Sequence, residues 1–194
     1  MVIEIREVGP DSLEQYGRIP MRHRVESVFR VDEIDGGLGG LTLTETPVDQ
    51  PYVKDHDEDP EENVSSWTSR FDVSNWLFLM AVDGDNAVGG ATLAFHTPEV
   101  NMLQGRNDLG VLWDIRVHPD YKRQGLGSRL IDRAVEWARR QGCKQLKIET
   151  QNNNVPACRF YASRGCRLGA IDRYGYAHYP RVAHEAMLIW CLDL

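Results

Sequence analysis

The residues of this chain best suited to chemistry fall between Val111 and Gly165. Asp114 stands in VLWDIRV, Glu149 in QLKIET and Tyr161 in QNNNVPACRFYASRG, with the basic glycine turn HPDYKRQGLGSRL lying after the first of these. A carboxylate can hold an ammonium or take its proton, and a phenol can give one up. Small residues that open a helix do something else: they bring backbone to the unpaired N–H groups and the positive dipole end, which suits a phosphate or pyrophosphate. Gly125 and Gly127 allow that approach, and Lys122 and Arg123 add charge. Each feature also has an ordinary reading. Glycines commonly punctuate a strand-to-helix junction. Asp114 with Arg116, and Glu149 with Lys147, sit two apart on a strand face and read equally as surface ion pairs worth little. Asn154 is placed to cap a helix, and Phe160 and Tyr161 can be core packing.

The elements that must hold these residues are marked by periodicity. Leu126, Leu130, Ile131, Ala134, Val135 and Ala138 recur at three and four, with Arg129, Asp132, Arg133, Glu136 and Arg139 largely opposite, so an amphipathic helix starts at the glycines. Val111, Trp113, Ile115 and Val117 alternate with Leu112, Asp114 and Arg116; Leu146, Ile148 and Thr150 alternate with Lys147, Glu149 and Gln151. These are two strands, each with its carboxylate on the less apolar face. Asn154 and Pro156 open a second helix. Upstream, residues 76–82 form a buried strand, Asp83 to Asn86 a hairpin turn, and 87–95 the partner strand. Residues 2–8 read as a first strand, and a helix is predicted from Leu13 to about Arg30, broken at Pro20. The glycines of 36–41 precede TLTETPV, no helix former, and read as a flexible loop. Residues 47–63 are acidic and turn-rich. Asp55, Asp57 and Asp59 have the spacing that begins a calcium loop, but Pro60 and Ser66 stand where Gly and Glu are required. The stretch is either a solvated loop or an acidic lip that attracts a cationic substrate. A sixth strand lies in CRLGAIDRYGYA and a seventh in AHEAMLIWCLDL. Tyr174, Tyr176 and Tyr179 could line a pocket or pack a sheet edge, and His118, His178 and His184 have no ligand spacing.

RVHPDYKRQGLGSRL followed by NNNVPACRFYASRGC resembles the two sequence motifs of the GNAT N-acetyltransferase superfamily, through Lys122, Gly125 and Gly127 and then Asn154, Ala157, Phe160, Tyr161 and Gly165. Lys122 departs from the Arg or Gln of the pattern, a small change where backbone amides do most of the phosphate binding. Within the superfamily, VLWDIRVHPDYKRQGLG with KIETQNNNVPACRFYASRGCRLGAIDRY is similar to the streptothricin acetyltransferase group. The resemblance implies an α/β (α+β) GNAT fold: a central mixed, mostly antiparallel six- to seven-stranded sheet, splayed between the fourth and fifth strands and flanked by about four helices. It implies acetyl-CoA as co-substrate, with cofactor-binding residues Ile115, Arg116, Val117, Lys122, Arg123, Gln124, Gly125, Leu126, Gly127, Ser128, Asn154, Ala157 and Tyr161. Tyr161 would be the general acid, and Asp114 or Glu149 would take the excess proton or hold the ammonium, with no metal needed. The expected activity is acetyl transfer to a primary amine, of a streptothricin-like or other cationic small molecule, with antibiotic resistance as the corresponding role. A protein or peptide amine acceptor and a non-catalytic acetyl-CoA sensor are the alternatives. A dinucleotide oxidoreductase, suggested by Gly125, Gly127 and Glu149, is disfavoured because Leu130 stands at the third glycine and seven residues separate Val117 from Gly125.

Length and composition agree with a single N-acetyltransferase domain over residues 1–194, its acetyl-CoA-binding core at about 110–165. A net charge of −7 argues against a general nucleic-acid binder. No apolar stretch approaches a membrane span and no leader is apparent, so a cytoplasmic protein is expected, with Cys143, Cys158, Cys166 and Cys191 as free thiols. A homodimer through the last strands is plausible on this reading.

Overall fold

The computed structural model describes residues 3–58 and 63–194. Val2 of the expected first strand, and Asp59 and Pro60 of the acidic stretch, lie outside the described residues. Nine strands and four α-helices follow in the order β1 (Glu4–Glu7), α1 (Leu13–Gly17), β2 (Arg22–Glu33), β3 (Leu41–Asp55), α2 (Trp67–Arg70), β4 (Leu77–Asp83), β5 (Asn86–Ala94), β6 (Leu109–Val117), α3 (Leu126–Arg140), β7 (Gln145–Gln151), α4 (Val155–Ser163), β8 (Arg167–Asp172) and β9 (Met187–Asp193). Seven strands form one sheet in the order β1-β4-β5-β6-β7-β9-β8, and β2 and β3 pair as a separate ribbon. The pairs β1–β4, β4–β5, β5–β6 and β8–β9 are antiparallel. This is the mixed, mostly antiparallel sheet with four helices that the sequence led us to expect.

The described residues group into two compact units, each assembled from separated stretches of chain: residues 1–22, 55–147 and 193–194 in one, and 23–54 and 148–192 in the other. In the first, the nearly continuous apolar run of β4 and the small residues of β5 are buried, as a strand covered on both faces requires. An aromatic core gathers around Trp76, which lies 5.5 Å from Trp113, 5.7 Å from Phe71 and 6.2 Å from Trp67 between ring centroids. Its indole N–H, which burial would otherwise leave unpaired, donates to Thr97 Oγ1 at 2.7 Å. On α3 the expected apolar face is buried through Leu126, Leu130, Ile131, Ala134 and Ala138, and Trp137 joins it.

Two expectations for the first third of the chain are corrected. The helix predicted from Leu13 to Arg30 ends at Gly17, and Arg22–Glu33 is the long strand β2. The acidic stretch at 47–63 is not a loop over its first half, because Leu41–Asp55 forms β3. The physical signs are period two. Arg22, Arg24, Glu26, Arg30 and Asp32 share one face of β2, and Arg24–Glu26 and Arg30–Asp32 pair along it at 2.8 Å each. Pro47 and Pro51 are tolerated in β3 because a two-stranded ribbon leaves one side of each strand without a ladder partner. The glycines of 36–41 form the turn between the two strands, with Gly36, Gly37 and Gly40 at positive φ and Ile34 N–H donating to Gly40 O at 3.1 Å.

Candidate active site

In the first unit, β6 runs into the glycine turn and then α3. His118 follows the strand as a cap, its ring nitrogen 3.4 Å from the Asp120 N–H it accepts. Arg123 and Gly125 both have positive φ, 62° and 80°. Gly125 is the N-cap of α3 and offers no side chain to occupy the first amides of the helix. A Cβ there would meet nothing within 4 Å, so the approach to these amides is open. Leu126 is buried, while Gly127 and Ser128 are half-buried in the first turn. Gln124 Nε2 donates to Asp120 O at 2.8 Å, and Lys122 Nζ to Arg22 O at 2.7 Å, each bracing the turn. Partial burial and then the neighbouring Arg22 hold the Lys122 pKa below its ordinary value. A 15-residue helix with a bare glycine cap is thus a fit cradle for a pyrophosphate.

On β6 the sequence reading has its faces reversed. Trp113, Ile115 and Val117 lie on the half-buried face, and Asp114 and Arg116 point into the core, 5% and 3% exposed. They are no surface ion pair. Arg116 Nη2 donates to Asp114 Oδ2 at 2.7 Å and its Nε to Oδ1 at 3.0 Å, while the Tyr16 hydroxyl donates to Asp114 Oδ1 at 2.5 Å. The remaining guanidinium nitrogen, Nη1, donates to Ile19 O at 2.9 Å and to Asp57 Oδ1 at 3.1 Å. Burial opposes the Arg116 charge, but Asp114, with Tyr16 and Asp57, outweighs it and raises the guanidinium pKa. Burial and the Asp114 charge keep the Tyr16 phenol protonated far above its usual range. Charged residues go inside here because each is paired; the sequence shows the spacing of Asp114 and Arg116 but not Tyr16, which arrives from 98 residues away.

β7, which belongs to the second unit from Ile148 onward, alternates as expected, with Leu146, Ile148 and Thr150 buried and Glu149 half-buried opposite. Glu149 Oε1 accepts from the Tyr176 hydroxyl at 2.8 Å. Burial raises the Glu149 pKa above the ordinary carboxyl value, and the Tyr176 bond opposes this. Tyr176 is itself buried and its phenol is raised by burial and by the Glu149 charge, so it is the donor of that bond. Tyr174 and Tyr179, by contrast, are exposed.

The three asparagines after β7 divide three tasks. Asn152 staples the chain on both sides: its backbone carbonyl accepts from Phe29 N–H at 2.8 Å, its N–H donates to Ala186 O at 2.9 Å, and its amide repeats both contacts. Asn153 is 2% exposed and donates to Glu185 Oε1 at 2.9 Å. Asn154 caps α4, its Oδ1 accepting from Ala157 N–H at 3.2 Å. Tyr161 is buried on α4, its ring 5.7 Å from Phe160 and 6.5 Å from Trp190. Thus Asn154, Ala157 and Tyr161 stand on one helix, and Ile115, Arg116, Val117 and Lys122 through Ser128 on one strand–turn–helix. Sequence reasoning missed Tyr16, Asn153 and Glu185. Only long-range folding brings them to their partners, and no local pattern announces it.

Burial pushes the Cys158 thiol up to about 12 and the Cys166 thiol to about 11, which keeps these two thiols protonated and unreactive. All four cysteines are free. Among the described residues no group of three His, Cys, Asp or Glu side chains is placed to hold a metal ion, and no helix is long and apolar enough to cross a membrane.

The family profile described as "Acetyltransferase (GNAT) family" matches residues 42–166, which include the glycine turn, both strand carboxylates and α4. The chain belongs to the GNAT acetyltransferase family. It is therefore an enzyme, an N-acetyltransferase that uses acetyl-CoA, and the dinucleotide reading falls. Among curated relatives of this GNAT protein, Streptothricin acetyltransferase A of Bacillus subtilis is 28% identical over 152 residues, 78% of this chain and 79% of that one. Streptothricin acetyltransferase of Escherichia coli is 29% identical over 167 residues, 86% and 82% of the two chains. Among solved structures, Nourseothricin acetyltransferase superposes with a TM-score of 0.78 at 25% identity, over 100% of this chain and 99% of that one. A putative streptothricin acetyltransferase from Bacillus anthracis, solved with acetyl coenzyme A, shares the fold with a TM-score of 0.77 at 24% identity, over 100% of each chain.

Proposed function

We propose that this GNAT enzyme acetylates a primary amine of a cationic small molecule of the streptothricin kind, with Glu149 as the group that takes the amine's proton and Tyr161 as the acid that protonates the departing thiolate. The observation that carries the assignment is the contrast between the two carboxylates. Asp114 is buried and already committed to Arg116 and Tyr16, so it is a positioning residue. Glu149 has a neutral hydroxyl as its hydrogen-bond donor and a pKa raised by burial, as a general base working near neutrality requires. The relatives named as streptothricin acetyltransferases support the acceptor class.

Acetyl-CoA supplies the thioester whose acetyl group passes to the amine. The amides of Arg123, Gln124, Gly125, Leu126, Gly127 and Ser128 would hold its pyrophosphate, using the open approach at Gly125. Ile115 and Val117, on the half-buried face of β6, would pair by backbone with the pantetheine arm, while Arg116 fixes the strand from behind. On α4, Asn154 holds the helix start and Ala157 keeps that turn small, which leaves Tyr161 to give its proton.

The test is free-thiol release from acetyl-CoA across streptothricin, polyamines, amino acids and basic peptides. Streptothricin turnover that falls about 100-fold in Tyr161→Phe, the scale of a lost general acid, with the KM for acetyl-CoA unchanged, supports both parts. Turnover of peptides with none of streptothricin overturns the acceptor assignment.

A further inference from the structure

A second set of buried polar groups surrounds the site of Glu149 within the same unit. Lys54 and Glu185 form an ion pair with side chains 14% and 5% exposed. Asn153 donates to the same Glu185 carboxylate at 2.9 Å and reaches the Tyr52 hydroxyl at 3.4 Å. Tyr176 ties this group to Glu149: it bonds Glu149 directly and its phenol feels the charge of Glu185 as well. Lys54 is paired with Glu185, while Glu149 has the neutral Tyr176 hydroxyl as its partner.

The Asn153 amide has only one sensible orientation. Its nitrogen must face the Glu185 carboxylate, because an oxygen there would meet an acceptor. That leaves Asn153 Oδ1 buried with no hydrogen-bond partner. An orphaned acceptor in the interior is costly and calls for an explanation. Glu149, half-buried on β7, accepts from the Tyr176 hydroxyl through Oε1. The shortfall at Asn153 Oδ1 is of a donor, and Glu149 and Glu185 against Lys54 leave the surplus charge negative. A protonated amine supplies three donors and one positive charge.

We infer that Glu149, Asn153 Oδ1 and the Lys54–Glu185 pair form the recognition site for an ammonium group of the acceptor, with Lys54 as an internal counter-charge that limits how tightly the cation is held. The inference rests on the proposed cationic acceptor and narrows it: the acceptor binds as an ammonium, not as a neutral amine or an alcohol. Neutralising Glu185 leaves Lys54 to repel the ligand. Neutralising Lys54 leaves two carboxylates to attract it. The two substitutions break the same ion pair and yet move binding in opposite directions, which a purely structural role cannot do.

The experiment is calorimetric titration of the full chain with 1,4-diaminobutane and with uncharged 1,4-butanediol, in wild type, Glu185→Gln, Lys54→Met and Asn153→Leu. The acetyl-CoA-induced rise in melting temperature serves as the control for a native fold. Expected are weaker diamine binding, by about tenfold, in Glu185→Gln and Asn153→Leu, tighter binding by a similar factor in Lys54→Met, and no binding of the diol. Equal shifts of one sign in Glu185→Gln and Lys54→Met, no response to any substitution, or no diamine binding to the wild type overturns the site. Streptothricin turnover is read separately: its absence beside charge-ordered diamine binding removes the named acceptor and keeps the ammonium site, and its presence beside charge-blind binding does the reverse.

Discussion

Glu149 is held above the usual carboxyl range because burial disfavours its anion more than the Tyr176 hydroxyl restores it. As the proposed base, it must be ionised, so acetyl transfer should rise with pH along an acidic limb displaced upward from that of an ordinary glutamate. Glu149→Gln should abolish that limb and lower kcat about 100-fold. Tyr176→Phe should keep the limb and move it to higher pH, because the lost bond favoured the anion. The same group bears on stability with a fixed sign. Its folded pKa exceeds its unfolded one, so its favourable contribution is complete below the unfolded value and is lost as pH rises through the folded one. Glu149→Gln should therefore gain on the wild type at pH 8 relative to pH 4, read from urea midpoints. A limb that survives in Glu149→Gln would remove it as base. The sequence singled out Glu149 and Asp114 together and could not separate them. Their neighbours carry the proposed distinction, and Tyr176 and Tyr16 are distant along the chain.

At the scale of elements, α1 and β6 are joined through Tyr16 and Asp114, and the sheet makes room for the ring. Gly90 of β5 is the reason it fits: a Cβ there would fall 2.3 Å from Tyr16 Cε2 and 2.9 Å from Leu79 O. The join is a buried charge pair and not a surface one, so Asp114→Ala should cost about 3–5 kcal/mol by leaving the Nε and Nη2 sides of the Arg116 guanidinium without their carboxylate in the core. Urea denaturation would show it as a lowered midpoint, and a loss under 1 kcal/mol would mean that Asp57 and the Ile19 carbonyl suffice for Arg116. Elements whose signal is local were legible: the hairpin of β4 and β5 at Gly84, the amphipathic α3, the Asn154 cap. The ribbon of β2 and β3 was not. Leu13 to Gly17 does form a helix, and the run of Arg, Glu and Val that follows it fits a helix face as well as a strand. Its i, i+2 ion pairs and its β-branched and aromatic residues Val25, Val28, Phe29 and Val31 were the signs that should have decided for a strand. Prolines at 47 and 51 argue against a central strand but not against one in a two-stranded ribbon.

For the whole molecule, the family profile covers residues 42–166 and so draws on both compact units. The motifs that carry the family lie in the latter half of the chain, which is why fold and reaction were legible although β2 and β3 were not. A net charge of −7 and the buried acidic groups around Glu149 agree with a cationic acceptor, but the anionic co-substrate must bind against that charge. Backbone amides and the α3 dipole make this possible, since they attract phosphate without a net charge of their own. The consequence is a stability linkage. Acetyl-CoA binds the native chain and finds no preformed amide cradle in the unfolded one. At 100 times its dissociation constant it should therefore add about 2.7 kcal/mol, which in a chain of this size is a rise of roughly 5–10 °C in melting temperature. Because the cradle depends on the left-handed cap at Gly125, Gly125→Val should strain that turn and remove most of the rise. Asn153→Leu, which leaves that turn unaltered, should keep it. A wild type whose melting temperature does not respond to saturating acetyl-CoA would show that the turn, whatever its sequence, does not receive the pyrophosphate.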